Sequence, residues 1–273
     1  MQKASINRLS VLVLSLMAAG CSGEMPKLSG IGSANATTDG AAIAGLSPEE
    51  VAQSGPSLAF SPFQDMSATP VGGREVISSP TLADVLAPVP GLPEMAFGRV
   101  DAPVTIVQYA SLTCPHCKRF HAEVFPTFKR EYIDTGKVRY ILRDFPIGRT
   151  SGQASVALRC AAPDKYLDLY GKFLAQQPSW VSQEVKLDLI YAVAAQSGLS
   201  RSDFDACRAN VALVENIKAI KDRGRKLGII GTPNFFIENK LVKKALDMAE
   251  LRAMIDPLLS QRTAATLPGT PPQ

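Results

Sequence analysis

Two cysteines lie three positions apart, Cys114 and Cys117, in the stretch SLTCPHCKRFH at residues 111–121. The whole chain has only five cysteines and two histidines. Thiols at this spacing can bind a metal, form a fixed bridge, or form a disulfide that opens and closes during a reaction. The residues around the pair decide between these three chemistries.

A helix predicted directly after Cys114 favours a reactive thiol. Phe120, Val124, Phe128 and Tyr132 recur every four residues, which predicts one helical face that starts at the thiol pair. A sulfur at the first turn of a helix faces unpaired N–H groups at the positive end of the helix dipole. This position lowers the pKa of the thiol, so we predict that Cys114 is the nucleophile.

The two residues between the cysteines, Pro115 and His116, fit the same chemistry. Proline suits the first turn of a helix because it lacks an N–H that would be left unpaired there. His116 can donate a hydrogen bond to the sulfur or carry a positive charge beside it. A pair whose reduced form is stabilised in this way passes its disulfide to other molecules and acts as an oxidant.

A metal site and a structural bridge are the alternatives. A zinc site with two cysteines needs further Cys or His ligands, and the only histidines are His116 and His121. A bridge over so short a span would constrain the unfolded chain very little. We therefore predict redox chemistry, with no bound metal and no cofactor.

The elements around the pair indicate an α/β frame with an inserted helical block. The β-branched run at 103–111 predicts a buried strand, and VRYILRDF at 138–145 predicts a second, parallel one after the helix. Residues 151–227 have the spacing of consecutive helices. Strand signals return at 234–242 as a hairpin that turns at Glu238 to Lys240, and a last helix is predicted over 246–259.

Two motifs carry a resemblance to a known family. VTIVQYASLTCPHCKRFH at 104–121 and GIIGTPNFFIENK at 228–240 resemble the DsbA-type thiol–disulfide oxidoreductases of bacterial periplasms, over a match from Gly91 to Leu259. The resemblance implies a thioredoxin-like fold with an inserted helical domain. It also implies that Cys114 attacks and accepts substrate sulfur, while Cys117 is the buried resolving cysteine.

The same resemblance places Thr232 and Pro233 in a substrate-binding loop. In the family, a cis proline at this position faces the active-site disulfide, and the backbone of the preceding residue pairs with substrate. Only proline makes a cis peptide bond inexpensive, and Gly231 relaxes the local backbone. The alternative is that Thr232 and Pro233 merely begin a strand.

Gln108 departs from the family pattern. Members commonly carry a glutamate six residues before the first active-site cysteine, where it exchanges protons with the resolving thiol. An amide cannot act as a general base. Water or another group would then move the proton, or the protein would turn over more slowly; the alternative is that Gln108 is a satisfied core amide with a structural role only.

The cysteines of the helical block, Cys160 and Cys207, are expected to form a structural disulfide. Two buried thiols in one subdomain pair readily in an oxidising compartment, and some similar proteins carry a second, non-catalytic bridge there. The alternative is two small buried hydrophobic residues.

The N-terminus predicts export. Lys3 and Arg8 precede the apolar run at 9–17 and three small residues, as in a secretory signal peptide, and the run is shorter than the ~20 residues of a membrane span. Cys21 follows as in the lipobox of bacterial lipoproteins, so lipidation of Cys21 is predicted. Ala18 stands where a lipobox usually has Leu, Val or Ile, which leaves ordinary signal cleavage as the alternative.

We divide the chain by composition and periodicity into six parts. They are a signal peptide (1–20), a low-complexity tether (21–90), the first part of a thioredoxin-like domain (91–150), an inserted helical domain (151–227), the second part of the thioredoxin-like domain (228–262), and a Pro-rich tail (263–273).

The function predicted from these residues is donation of the Cys114–Cys117 disulfide to reduced, newly translocated proteins in the periplasm. The expected partners are those polypeptides and a membrane oxidase that re-oxidises the dithiol, with a lipid on Cys21 as the membrane anchor. A net charge of +4 without a basic run argues against nucleic acid. The alternatives are a disulfide isomerase or reductase of the same fold and a thiol-based metal carrier.

Overall fold

The computed structural model describes residues 76–266, with side chains described through residue 262. The predicted signal peptide, Cys21 and residues 21–75 of the predicted tether lie outside the described residues. So do residues 267–273 of the predicted tail.

A mixed five-stranded sheet lies at the centre of the fold. Its strands are β1 (Met95–Phe97), β2 (Val104–Ala110), β3 (Val138–Asp144), β4 (Asn234–Ile237) and β5 (Lys240–Val242), in the order β1-β3-β2-β4-β5. β2 and β3 are parallel, and the other neighbours are antiparallel. The predicted parallel βαβ unit and the predicted hairpin are both confirmed.

The central strand β2 is buried on both faces because its side chains are apolar on both. Ile106 and Ala110 pack into the cluster that contains the thiol pair, and Val107 and Tyr109 pack into a second cluster on the opposite face. Packing on both faces holds the end of this strand in a fixed position. The thiol pair begins four residues after β2 ends, so the sheet fixes the position of Cys114.

One long helix, α2, follows the strand. It alternates α-helical turns (Pro115–Arg119 and Phe125–Phe128) with π-helical turns (Phe120–Val124 and Lys129–Ile133). The stripe predicted from the sequence faces the core, since Cys117, Phe120, Phe128 and Tyr132 are all buried. Gly136, with φ +75°, terminates the helix in the left-handed conformation that glycine adopts without strain.

The other α-helices of the described residues lie before, between and after these strands in the chain. They are α1 (Leu82–Leu86), α3 (Gly148–Arg159), α4 (Tyr166–Ala175), α5 (Gln177–Trp180), α6 (Leu187–Ala194), α7 (Arg201–Ala209), α8 (Val211–Lys226) and α9 (Met248–Thr266). Helices α3 to α8 lie between β3 and β4 in the chain, which is the predicted insertion. None of the helices within residues 76–266 is both long and apolar enough to cross a bilayer.

The predicted tether boundary at residue 90 is wrong. Thr81 and Asp84 form a capping box at the start of α1, and Val85 is fully buried in the second cluster. Arg143 of β3 donates to the carbonyl oxygen of Val85 at 2.7 Å. The helix is too short to show a periodic pattern, so one buried side chain and its backbone contacts hold a segment that composition alone assigns to the tether.

The boundary predicted at 263 is also wrong, whereas the one predicted at 227 lies one residue past the end of a helix. Helix α8 ends at Lys226, with Val214 and Ile217 packed in the helical block and Ile220 packed on the sheet. Helix α9 continues to Thr266, beyond both the predicted helix end at 259 and the predicted tail boundary at 263. The sequence there contains alanines, which favour a helix, and the first proline after them is Pro268.

Candidate active site

Cys114 lies at the N-cap of α2, where the extended chain turns into the helix. Its backbone is extended (φ −79°, ψ 120°), and its Sγ accepts a hydrogen bond from the Cys117 backbone N–H at 3.4 Å. Pro115 occupies the first turn and contributes no unpaired N–H. The sulfur therefore takes the place of the polar cap that usually satisfies these amides.

The surroundings of Cys114 lower its pKa from the ordinary value to about 5. The hydrogen bond from the Cys117 thiol contributes most, and the Thr232 side chain and the backbone amides of Cys117 and His116 act in the same direction. Burial opposes them, since only 7% of Cys114 is exposed. The hydrogen bonds prevail, so Cys114 is a thiolate at neutral pH.

Cys117 has the opposite character. It is completely buried, and burial raises its pKa well above the ordinary value, with the neighbouring Cys114 sulfur raising it further. One thiol of the pair is thus charged and reachable, while the other is neutral and enclosed. This asymmetry fits an attacking and a resolving cysteine, in that order along the chain.

The loop before β4 approaches the pair from the opposite side. The Thr232–Pro233 peptide bond is cis, and the Cys114 sulfur lies 3.1 Å from the Thr232 carbonyl oxygen, to which it can donate only while it is protonated. The Thr232 hydroxyl is buried beside the pair, and the Thr232 side chain lowers the pKa of the Cys114 thiol. No atom lies within 4 Å of a Cβ built on Gly231, so the backbone just before this loop borders open space.

His116 is exposed, and its imidazole is engaged by a neighbour one turn along the helix. Arg119 Nη2 lies 2.7 Å from His116 Nδ1 and donates to it, because a guanidinium has no acceptor. A ring nitrogen that accepts carries no proton. The backbone amide of His116 acts on the Cys114 sulfur, whereas a contribution of the imidazole to the thiolate stays a prediction.

Gln177, in the helical block, supports the active-site loop and was not identified from the sequence. It is buried, and its Nε2 donates to the carbonyl oxygens of Leu112 at 2.7 Å and Cys114 at 3.0 Å. Both carbonyls belong to the turn between β2 and α2. No local signal in QQPSW distinguishes this glutamine from Gln176, since the contact is made across 63 and 65 residues.

Gln108 lies on β2, on the face that also carries Ile106 and Ala110, and is 1% exposed. Its Oε1 accepts a hydrogen bond from the Tyr140 hydroxyl on the neighbouring strand β3. Its Nε2 has no hydrogen-bond partner among the described residues. The position that carries a carboxyl group in the family pattern is therefore a neutral, half-satisfied amide.

Comparison with known proteins shows which family shares this fold and site. A family model described as Thioredoxin matches residues 92–257. The crystal structure of Wolbachia pipientis α-DsbA1 is 30% identical, with a TM-score of 0.62 over 68% of this chain and 99% of that one. This chain is a DsbA-type member of the thioredoxin family.

More distant relatives agree with this assignment. Disulfide bond formation protein D of Bacillus subtilis is 25% identical over 166 residues, covering 58% of this chain and 74% of the relative. A Rickettsia bellii protein, named as a candidate protein-disulfide oxidoreductase, is 28% identical over 170 residues and 62% of this chain. The match covers 65% of that relative's length, and 54% of a relative from Rickettsia typhi.

The DsbA-type fold here carries a second pair of cysteines, away from the site. Cys160 at the end of α3 and Cys207 in α7 form a disulfide. Both belong to the helical insertion and pack at the edge of the small cluster that contains Val156 and Ile217. The bridge therefore links two helices of the insertion without contributing to the reactive pair.

A cavity of about 180 Å³ opens beside the first turns of α2 in this DsbA-type protein. Polar residues and apolar residues share its lining: His116, Arg119, Glu123, Asp247 and Glu250 with Phe120, Val124, Ala245 and Leu246. Within residues 76–266, no group of three or more His, Cys, Asp or Glu side chains is arranged to hold a metal ion.

Proposed function

We propose that this protein is an exported thiol–disulfide oxidoreductase that donates the Cys114–Cys117 disulfide to reduced, newly translocated proteins. The observation that carries the proposal is the stabilised Cys114 thiolate at the start of α2. Anything that stabilises the reduced pair makes its disulfide a stronger oxidant. Family membership and the names of the relatives support the same reaction class.

The surface around Cys114 supports a polypeptide substrate. Ile147 is 50% exposed and Ile230 is 82% exposed. Ile147 is tied to the active-site turn by the Thr113 hydroxyl, and Ile230 directly precedes the Gly231–Thr232–Pro233 loop. Reduced, unfolded chains expose aliphatic side chains, which these two residues can contact.

In the proposed step, a substrate thiolate attacks the Cys114 sulfur of the disulfide. The Cys114–Cys117 bond breaks, a mixed disulfide with Cys114 forms, and the electron pair leaves on the Cys117 sulfur. A second substrate thiolate then attacks the mixed disulfide, releases the oxidised substrate and leaves Cys114 as the stabilised thiolate. A membrane oxidase would restore the disulfide by accepting both electrons.

Equilibration with glutathione tests the direction of the reaction. We expect the pair to be mostly reduced in a buffer that keeps thioredoxin oxidised, because the Cys114 thiolate is stabilised. A potential near that of thioredoxin, about −270 mV, would instead favour the reductase alternative. The double variant Cys160→Ser/Cys207→Ser should give the same potential as the natural chain, since that bridge is remote from the pair.

Two further assays separate the remaining alternatives. An oxidase should introduce disulfides into reduced ribonuclease, whereas an isomerase should act better on the scrambled, already oxidised enzyme. A thiol-based metal carrier should retain stoichiometric metal after anaerobic purification. Cys114→Ser is the negative control in both assays.

Export and lipid attachment are part of the proposal, based on residues 1–21. We expect the mature protein in the periplasm, attached to the membrane through a lipid on Cys21. Radiolabelled palmitate should enter the natural protein and not the Cys21→Ser variant. Equal labelling of the two, or none in either, would leave ordinary signal cleavage as the explanation.

A further inference from the structure

The segment that joins β3 to α3, residues 145–148, is attached to the active-site turn by hydrogen bonds. The Ile147 N–H donates to Ser111 Oγ at 3.3 Å, and Thr113 Oγ1 donates to the Ile147 carbonyl oxygen at 3.4 Å. The Cys114 N–H donates to the Ser111 carbonyl oxygen at 3.1 Å. The backbone of Ile147 is therefore held on both sides by residues directly before the nucleophile.

Two isoleucine side chains lie exposed beside Cys114. Ile147 is 50% exposed, and no atom of the described residues lies within 4 Å of a Cβ built on Gly148, which follows it. Ile230 is 82% exposed and lies two residues before Thr232, whose carbonyl oxygen is 3.1 Å from the Cys114 sulfur. A polypeptide that brings a cysteine to Cys114 therefore meets apolar surface next to the reacting sulfur.

A buried lysine holds the same segment from inside the protein. Lys221 of α8 is 6% exposed, and its Nζ donates to the Pro146 carbonyl oxygen at 2.6 Å. The ammonium group also lies 5.5 Å from the centroid of the Phe145 ring. Lysine is rarely buried to this extent, because removing its charge from water is costly. A charged donor forms a stronger hydrogen bond than a neutral one, so the Pro146 oxygen is held firmly.

The hydrogen bond from Lys221 completes the attachment of the segment. Proline has no N–H, so the carbonyl oxygen is the only backbone hydrogen-bonding group at Pro146. With this oxygen fixed by Lys221 and the next residue fixed by Ser111 and Thr113, Ile147 is ordered before any substrate arrives. A contact that is already ordered costs less conformational entropy on binding.

We propose that Lys221 is a positioning residue that fixes Ile147 as the contact for the substrate residue next to the reacting cysteine. The substrate class that this contact favours is an unfolded polypeptide with an aliphatic residue beside that cysteine, because apolar surface gains free energy when it leaves water against Ile147. This inference rests on the proposed thiol–disulfide exchange. It concerns the choice of substrate and not the direction in which the electrons move.

The test compares two reduced peptides, each with two cysteines, that carry either leucine or serine next to both cysteines. Dithiothreitol is the small dithiol without neighbouring residues. We expect the natural oxidised protein to oxidise the leucine peptide with a kcat/KM about tenfold above that for the serine peptide, as for one half-buried aliphatic side chain. Ile147→Ala and Lys221→Met should each remove most of this preference.

The rate with dithiothreitol should stay the same in both variants. The hydrogen bonds that lower the pKa of Cys114 come from Cys117, His116 and Thr232, none of which belongs to α8. Lys221→Arg keeps the charge and the donors, so it should retain the preference for leucine. Lys218→Met is the matched control on the same helix, because Lys218 pairs with Glu215 and is more exposed. It should also retain the preference.

The double variant Lys221→Met/Ile147→Ala should lose no more preference than Ile147→Ala alone, since both changes act through one contact. Equal rates of the natural chain with the two peptides would overturn the proposal, and so would an undiminished preference in Lys221→Met. Equal losses with both peptides and dithiothreitol would overturn it as well, because they would report a general loosening of the site.

Should Lys221→Met fail to fold, Lys221→Gln carries the comparison, because its side chain is neutral and shorter. A glutathione equilibrium typical of a reductase would count against the proposed oxidase and not against the role of Lys221. The preference would then be measured with the same peptides as disulfides and the reduced protein, with the same expected losses.

Discussion

The Cys114 sulfur accepts the hydrogen bonds that would otherwise go to a helix cap, and they lower its pKa to about 5. We expect the alkylation rate of the reduced protein to rise with pH through a midpoint near 5, well below the ~8.5 of an ordinary thiol. The measurement is iodoacetamide reactivity against pH, with Cys114→Ser as the blank. A midpoint above about 8 would show that the sulfur is not activated.

The lowered pKa of Cys114 also makes the stability of the reduced protein depend on pH. Between the folded pKa of about 5 and the unfolded value of ~8.5, the unfolded chain holds one proton more than the folded chain at Cys114. This contribution to stability is present in full above the unfolded pKa and is lost as the pH falls through 5. In the disulfide form Cys114 has no titratable thiol, so the stability of that form lacks this pH-dependent contribution.

Thermal unfolding of both redox forms checks this consequence. We expect the Tm of the reduced protein to rise relative to that of the oxidised protein as the pH increases from about 5 to about 8. The Cys114→Ser variant cannot form the disulfide, and its Tm should follow that of the oxidised protein over this pH range, without the rise seen in the reduced natural chain. A difference that stays constant over this range would contradict the assignment of the low pKa to Cys114.

For single residues, the sequence predicts those features of the site that depend on neighbouring positions in the chain. Cys114, Pro115 and Cys117 lie within one turn, so the cap, the missing N–H and the two sulfurs could be derived from spacing alone. The contact from Cys114 to the Thr232 carbonyl crosses 118 residues, and the family resemblance rather than spacing indicated that loop. The contact from Gln177 to the active-site turn had no such indicator.

Among the elements, helix α5 holds the active-site turn in place through Gln177. Replacing Gln177 with methionine keeps the size of the side chain but leaves the carbonyls of Leu112 and Cys114 without their donor. We expect a loss of about 2 kcal/mol in the free energy of unfolding, within the range for unpaired buried polar groups. Disulfide exchange should also slow, because the turn that carries Cys114 loses its support.

Gln176→Met is the control for this variant. The Gln176 side chain exchanges two exposed hydrogen bonds with that of Gln196 and makes no hydrogen bond to the turn. Its replacement should change the free energy of unfolding by no more than about 0.5 kcal/mol. Urea unfolding of both variants measures these changes. Equal losses in the free energy of unfolding would show that Gln177 has no particular role in the turn.

The Cys160–Cys207 disulfide also joins two secondary-structure elements, α3 and α7. It joins residues separated by 47 positions, and closing a loop of that length contributes roughly 4 kcal/mol in the chain-entropy model. We expect Cys160→Ser/Cys207→Ser to unfold at a correspondingly lower urea concentration. The alkylation midpoint of Cys114 should not move, and a shifted midpoint would show that the bridge reaches the active site.

Strands and long helices were predictable because their periodic patterns repeat over many residues. Helix α1 was not, since it has five residues and contributes a single fully buried side chain, Val85. Its position depends on Arg143 of β3, which is buried and donates to the carbonyl oxygens of Val85, Leu86 and Ala87. Contacts of this kind become visible only when distant segments are placed side by side.

For the whole molecule, these contacts move the start of the folded domain from the predicted residue 91 to before α1. Arg143 also pairs with Glu94 at 2.8 Å, and Arg223 of α8 donates to the Asp84 carbonyl oxygen. The segment 81–94 is thus joined to both the sheet and the helix that leads back from the insertion. A chain that begins at 91 would leave the Arg143 guanidinium without three of its acceptors.

Two truncations test where the domain begins. A chain starting at residue 76 should unfold at the same urea concentration as the mature protein, if the preceding segment is the predicted tether. A chain starting at residue 91 should lose at least about 3 kcal/mol, because it loses the buried Val85 side chain and three backbone acceptors of the buried Arg143 guanidinium. Val85→Ala in the longer chain should cause part of that loss, because it removes the buried methyl groups and keeps every backbone acceptor. Equal stability of the two truncated chains would restore the boundary at 90.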